Sequence, residues 1–390
     1  MQNKWVNLFA GIIIQTILGG IYAWSIFVPH LTNNYGISKG QSGTIFGVCI
    51  AVFTLAMIWA GRIFDRKGPR FTASIGGVLF LLGYLIASFS GGSFLVIMIG
   101  IGVFSGAGIG FGYVCPLSVG MKWFPERKGL ITGVAVAGFG GGAILLSTLG
   151  SHFMGSGMDV LIFFRWISII AGALLLIASS VLAVPSSVDE DDTEKIGADK
   201  STLLSSPFLL NVLGIFVGTF AGLLVVGNLS PMTINVGFSE EMAAQAVSVF
   251  AIGNAIGRVS WGHFFDKIDF KTIPLSLGGF AIFLLLLHLL SSFGIPYLIL
   301  TGFLGFSFGG NFVIYASSIS RYFGTDSFPH LYPICFLGYG LAGIIGPGTG
   351  GFIADTTGSY TIALYISIIM LATAAVITGF GLKVFDEKTE

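Results

Sequence analysis

One arginine raises the sharpest chemical question in this 390-residue chain. Arg258 sits in "FAIGNAIGRVSWG", among Ala, Gly, Ile and Val. A guanidinium keeps its proton, and placing it at the centre of a bilayer costs about 2.5 kcal/mol or more. No Asp or Glu in the surrounding apolar segments offers itself as a partner; Asp266 lies two turns on. A buried cation without a fixed partner suits a cavity that receives an anion. The parallel N–H donors of a guanidinium match the two oxygens of a carboxylate. The competing reading is structural: Arg258 snorkels to the near surface, or ties to Asp266 or to a helix-end carbonyl. Asn254 lies four residues earlier, on the same helix face. It either donates to the same anion and orients the guanidinium, or makes an interhelical hydrogen bond. Asn does not titrate, so it carries no proton.

Other polar groups in apolar runs form a second tier. Tyr113 and Tyr315 each follow a glycine-rich turn. A phenol in lipid must find a hydrogen-bond partner, which is either an anionic ligand or a backbone carbonyl. Tyr22, Gln15 and Trp24, with Asn228 and Asn311, have apolar neighbours that do not separate a cavity wall from a helix seam. His288 reads as a packed residue rather than a proton carrier. Cys49, Cys115 and Cys335 lie in apolar runs without metal-ligand spacing. The glycine strings at 100–112 lack the preceding strand and the Lys-Ser/Thr of a phosphate loop. No Ser/His/Asp order or metalloprotease motif occurs. An enzyme, an ATP-driven pump, a metal site and a cofactor are therefore not expected.

The elements that position these residues follow from composition. Hydrophobic residues make up 54% and charged residues 9%, with mean hydropathy +0.92; a soluble domain carries about 25% charge. The net charge is zero, which removes the electrostatic case for nucleic acid. A bilayer core needs about 20 apolar residues per helix. Twelve such segments are expected, near 6–29, 41–61, 71–90, 94–121, 129–150, 160–184, 208–232, 241–262, 273–292, 296–320, 329–353 and 360–383. The one long break, 185–207, is polar and acidic. It divides the chain into a half at 1–184, a linker at 185–207 and a half at 208–390. The predicted class is an all-α membrane protein of two six-helix halves in the lipid bilayer. With the N-terminus inside, fifteen of the eighteen Lys and Arg fall on the cytoplasmic side. Lys39 and Arg165 fall outside, and Arg258 is the remainder. That bias predicts both termini in the cytoplasm. The first apolar stretch lacks a small-residue cleavage site and reads as a span rather than a signal peptide.

The halves repeat at an offset near 201: "GRIFDRKGPR" at 61–70 aligns with "GHFFDKIDFK" at 262–271. Such a parallel repeat places a ligand between the halves near mid-membrane. At this offset Asn254 and Arg258 map to Phe53 and Met57. One side of the cavity is then cationic and the other apolar, which suits a small amphipathic anion.

The string G-x-x-x-D-R-x-G-x-R, carried by Gly61, Asp65, Arg66, Gly68 and Arg70, resembles the signature of the major facilitator superfamily, with Pro69 where the family usually has Arg. "YAWSIFVPHL" at 22–31, "KWFPERKGLITGVAVAGFGGGA" at 122–143 and "GYGLAGIIGPGTGG" at 338–351 resemble the oxalate:formate antiporter family and its monocarboxylate-transporter relatives. The resemblance covers the whole chain. It implies a secondary transporter of the cell membrane, with an Arg in span 8, here Arg258, as carboxylate anchor. It also implies a conformational latch at Gly61, Asp65, Arg66 and Gly68, with Asp266 in the second copy. A carboxylate such as Asp65 can bond the N-terminus of a neighbouring helix. Oxalate exchangers of the family carry a second buried cation, a Lys in a Tyr-x-x-Lys-Gly string. Aligned on "FLGYGLAG" at 336–343, Tyr339 takes that position. One cation suits a monocarboxylate the size of lactate, formate or pyruvate, and Tyr339 joins the substrate-lining set. Proton symport is expected from the resemblance alone, with oxalate:formate-type exchange as the alternative. Should oxalate be preferred, Lys122 and Arg165 are the first places to seek the missing charge.

Overall fold

The computed structural model describes residues 3–124, 128–185, 200–324 and 327–383. Among these residues nine helices are long and apolar enough to cross a membrane. Two of them, Lys39–Ser88 and Glu240–Leu289, run for 50 residues each. A straight helix of that length would span about 75 Å, against a hydrocarbon core of about 30 Å. Each is two crossings folded at a break. The first breaks at Gly68, whose φ of 78° and ψ of 175° leave the helical region. The second breaks at Asp269, with φ 52° and ψ −137°. These positions are 201 residues apart, so the repeat seen in the sequence extends to the backbone. Glycine adopts that conformation without a Cβ penalty. Asp269 holds it under strain, and its carboxylate pairs with Arg321 at 3.1 Å.

Twelve of the described helices are long. They are α1 (Lys4–Tyr35), α2 (39–67), α3 (69–88), α4 (Phe94–Trp123), α5 (Lys128–Gly155), α6 (Val160–Val181), α7 (Ser206–Asn235), α8 (Glu240–Ile268), α9 (Thr272–Leu289), α10 (Gly294–Phe323), α11 (Phe328–Thr357) and α12 (Thr361–Phe380). The stretches 62–70 and 263–271, expected as interhelical breaks, are almost wholly helical. The apolar segments had marked only the lipid-embedded part of helices that run on past it. The acidic run of the 185–207 linker, and Arg127, Lys195 and Lys388, lie outside the described residues. Within that linker a short helix covers Lys200–Leu203.

Local chemistry sets the helix starts. Ser38 and Gln41 form a reciprocal capping box on α2, with bonds of 3.1 and 3.0 Å. Asp159 caps α6 and Ser239 caps α8. Near the middle of the molecule the helices are less regular. Helix α1 tightens into a 3-10 helix over Gly20–Phe27, and Pro333 and Pro347 interrupt α11. Such irregularity is tolerated at membrane depth where the backbone is covered by protein or lines a cavity.

Six helices from each end of the chain form the two halves, which meet along several helix seams, among them α2–α11 and α5–α8. Helix α2 packs on α11 so closely that a Cβ at Gly43 or Gly47 would collide with the carbonyls of Pro347 and Gly343. Lipid supplies no hydrophobic drive between helices, so such small-residue seams depend on close van der Waals contact. Helix α5 meets α8 where the hydroxyls of Ser147 and Ser248 bond at 2.8 Å. Trp5 packs on Phe124 and Ala183 donates to Asn7, which places 5, 124 and 183 at one end of the molecule. The close contacts of the α2–α11 seam lie toward the opposite end. At the terminal face Asp65, Arg66 and Asp266 are exposed.

Candidate functional site

Arg258 projects from the middle of α8. Its Cζ lies 4.3 Å from the ring centroid of Phe312 on α10, and its Nε donates to Asn254 Oδ1 at 3.3 Å. Stacking and hydrogen bond together fix the plane of the guanidinium. Asn254 is buried, and its Oδ1 is the acceptor for the Arg258 Nε–H one helical turn on. Arg258 does not tie to Asp266. Among the described residues the ion pair formed is Arg321 with Asp269, and no carboxylate pairs with Arg258.

Around this cation stands a set of phenols drawn from both halves. Tyr22 of α1 and Tyr339 of α11 are buried, and their hydroxyls bond at 2.9 Å across the half-to-half boundary. Tyr332 of α11 donates its hydroxyl to the backbone carbonyl of Phe312, the residue under the guanidinium, at 3.3 Å. Tyr113 of α4 is half-buried. Rings complete the wall. Tyr113 lies edge-on to Phe53 and Phe139 at 5.4 Å each, and Tyr22 packs on Phe139 and Phe308 at 5.3 and 5.7 Å. Phe53, the repeat counterpart of Asn254, therefore faces the site from the other half. Gln15 supports the wall by donating to the Tyr113 carbonyl at 3.1 Å.

Tyr315 stands apart from this group. It is fully buried, but its hydroxyl lies against Gly214 of α7, within the C-terminal half. Its position 202 residues after Tyr113 suggested a matching role. The missing side chain at Gly214 instead gives its ring a slot in a helix seam. Asn228 donates to the Pro347 carbonyl, Asn311 to carbonyls of its own helix, and Trp24 to Ser42, so all three serve helix packing. Lys122 is exposed over the Phe64 ring, and Arg165 stacks on Phe89 at 4.4 Å. Neither places its charge beside Arg258. Two site residues escaped the sequence reading, Phe312 and Tyr332. Tyr332, Phe336 and Tyr339 recur at i, i+4 and i+7, a single helix face. That aromatic periodicity in "LYPICFLGY" was a signal for Tyr332. Nothing in the sequence marked Phe312 among the 37 phenylalanines.

At the terminal face, the latch candidates lie apart from this group. Gly61 has open space beside it, and Gly68 supplies the fold between α2 and α3. Asp65 and Arg66 are exposed in the last turn of α2. Asp266 lines a cleft of about 630 Å³ between α8 and α10 with Ser317, Ser320 and Arg321.

Comparison with known proteins agrees with this architecture. The Major Facilitator Superfamily profile matches residues 8–327 and 211–390. The chain is 25% identical to the oxalate:formate antiporter of Oxalobacter formigenes, over 94% of this chain and 89% of that one. It is 25% identical to apicoplast pyruvate carrier 1 of Toxoplasma gondii, over 86% of this chain and 81% of that one. The fold is similar to that of a D-xylose–proton symporter, with TM-score 0.77 at 15% identity, covering 96% and 97% of the two chains. With twelve helices in two six-helix halves and a profile match along most of its length, this chain belongs to the Major Facilitator Superfamily and is a multi-pass membrane transporter, not an enzyme.

Proposed function

We propose that this protein carries a small monocarboxylate of lactate, formate or pyruvate size across the cell membrane by alternating access, with Arg258 as the carboxylate anchor. The observation that carries the reading is the Arg258 guanidinium, held in plane by Asn254 and Phe312 beside phenols of both halves, with no carboxylate partner among the described residues. A carboxylate arriving there neutralises the cation and can accept from Tyr113 and from whichever hydroxyl of the Tyr22–Tyr339 pair does not donate to the other. A ligand bridging residues of both halves lowers the cost of closing them around it. The relatives' names, oxalate:formate antiporter and pyruvate carrier, point to the same substrate class.

The charge count favours a monoanion. One cation against one carboxylate leaves about zero net charge, while a dicarboxylate leaves about −1 in a medium where uncompensated charge is costly. The second reading, oxalate:formate-type exchange, is favoured by the antiporter relative and opposed by the hydroxyl of Tyr339 at the position expected for a second cation. Coupling to protons rests on the sequence resemblance. The positive-inside bias favours the terminal face as the cytoplasmic one, and the 1–184 and 208–390 halves are the bodies that rock. The close contacts of the α2–α11 seam then lie toward the outside. Reconstitution into liposomes with labelled lactate, formate and oxalate, with and without a pH gradient, tests the proposal. Uptake of monocarboxylates stimulated by inside-directed proton flow supports symport. Uptake that requires an internal carboxylate supports exchange, and no uptake of any of the three overturns the substrate reading.

A further inference from the structure

The α2–α11 seam ends in a contact between a carboxylate and the start of a helix. Asp355, two residues before the end of α11, accepts from the backbone N–H of Gly40 at 2.7 Å and of Lys39 at 3.1 Å. These are the first N–H groups of α2, which have no acceptor within their own helix. Ser38 Oγ takes the next free donor, Gln41 N. The anion also sits at the positive end of the α2 dipole. The bonds join the halves, since α2 belongs to the first and α11 to the second. The fit is tight: a Cβ at Gly40 would stand 3.1 Å from the Phe352 backbone.

A carboxylate stands at the equivalent position at the other end of this helix pair. Helices α2 and α11 run antiparallel. Asp65 lies two residues before the end of α2, as Asp355 lies two residues before the end of α11. The start of α11 lies at the terminal face, as Asp65 does. Asp65 is exposed and has no hydrogen bond or ion pair among the described residues. One carboxylate is engaged where the seam is shut, and its counterpart has no partner among the described residues at the opposite face.

We propose that Asp355 is the latch of the face opposite the chain termini, and that Asp355 and Asp65 are reciprocal latches on a single helix pair. Rocking the halves parts one pair of helix ends as it joins the other, so only one carboxylate is engaged at a time. The latch sets the balance between the two closed forms of the transporter and touches no substrate. It rests on the alternating-access reading but not on the identity of the substrate.

The test reads conformation directly. Ser93 and Ser292 are exposed turns of the two halves on the Asp355 face, and Cys49, Cys115 and Cys335 are buried. Spin labels at Ser93→Cys and Ser292→Cys, measured in lipid nanodiscs without substrate, report the separation of the halves there. Asp355→Asn is expected to move the ratio of short to long separations about tenfold toward the long form, the loss of about one charge-assisted hydrogen bond. Asp65→Asn should move it the other way or leave it at the short form. The double variant should return toward the wild-type ratio, which a merely misfolded Asp355→Asn protein would not do. An unchanged distribution in Asp355→Asn, or a double variant no closer to wild type than the single, overturns the proposal. The labels need no substrate, so failed carboxylate uptake with the predicted shifts sinks only the substrate reading.

Discussion

Replacing Arg258 with Lys keeps a positive charge in place and removes the fork. In the native side chain, Nε is committed to Asn254 at 3.3 Å and the plane rests on Phe312 at 4.3 Å. The two terminal nitrogens are thereby presented together to a carboxylate. A lysine ammonium makes a single-point contact and has neither restraint. Losing one charge-assisted hydrogen bond of about 1.5–3 kcal/mol corresponds to a rise in KM of about 10- to 150-fold. Arg258→Gln removes the charge as well. At about 4 Å and an effective dielectric near 20, that Coulombic attraction is about 4 kcal/mol, close to a thousandfold. The expected order of uptake is wild type, then Lys, then Gln, with the loss falling on KM before the maximal rate. Initial rates of labelled lactate and formate entry into proteoliposomes, at equal protein per lipid and equal monodispersity in detergent, give the comparison. Near-normal uptake with Gln would remove Arg258 from the site and return it to a packing role.

Three further outcomes follow from the same geometry. Tyr339→Lys places a second cation beside Arg258 and should shift competition at pH 7 from lactate toward oxalate, with some loss of overall rate because the buried Tyr22 bond is broken; unchanged preference would refute the charge argument. Asp65→Asn should slow turnover more than it weakens equilibrium substrate binding, and lost affinity at an unchanged rate would contradict a latch. Gly47→Val puts side-chain atoms where the Gly343 carbonyl stands. It should hold the α2–α11 seam apart, cutting transport severalfold while detergent-solubilised protein stays monodisperse, whereas wild-type transport would show that this seam need not close.

Much of this molecule was legible in its sequence because membrane crossing leaves a coarse physical mark. About 20 apolar residues per span, a repeat near 201 and a biased distribution of Lys and Arg yield twelve helices in two halves without any contact being known. Arg258 stood out because an ionisable residue in hydrocarbon is costly and so uncommon there. Asn254 followed from helix periodicity alone. What periodicity cannot supply is which side of a helix faces which neighbour. Tyr113 and Tyr315 look alike in sequence, each after a glycine-rich turn. Only the tertiary structure sets Tyr113 against Phe53 and Phe139 and packs Tyr315 against Gly214, because that choice depends on a missing side chain on a helix about 100 residues away. Phe312 is one aromatic among many until the crossing of α8 and α10 lays it under the guanidinium. Asp65 announced itself by motif, whereas Asp355, in an unremarked "ADTTGSY", acquires its partner only when α11 lies antiparallel to α2. The sequence determined the number and polarity of the helices, since both are set by local transfer energy. The tertiary structure decided which polar groups meet, since that is set by packing between segments distant in the chain.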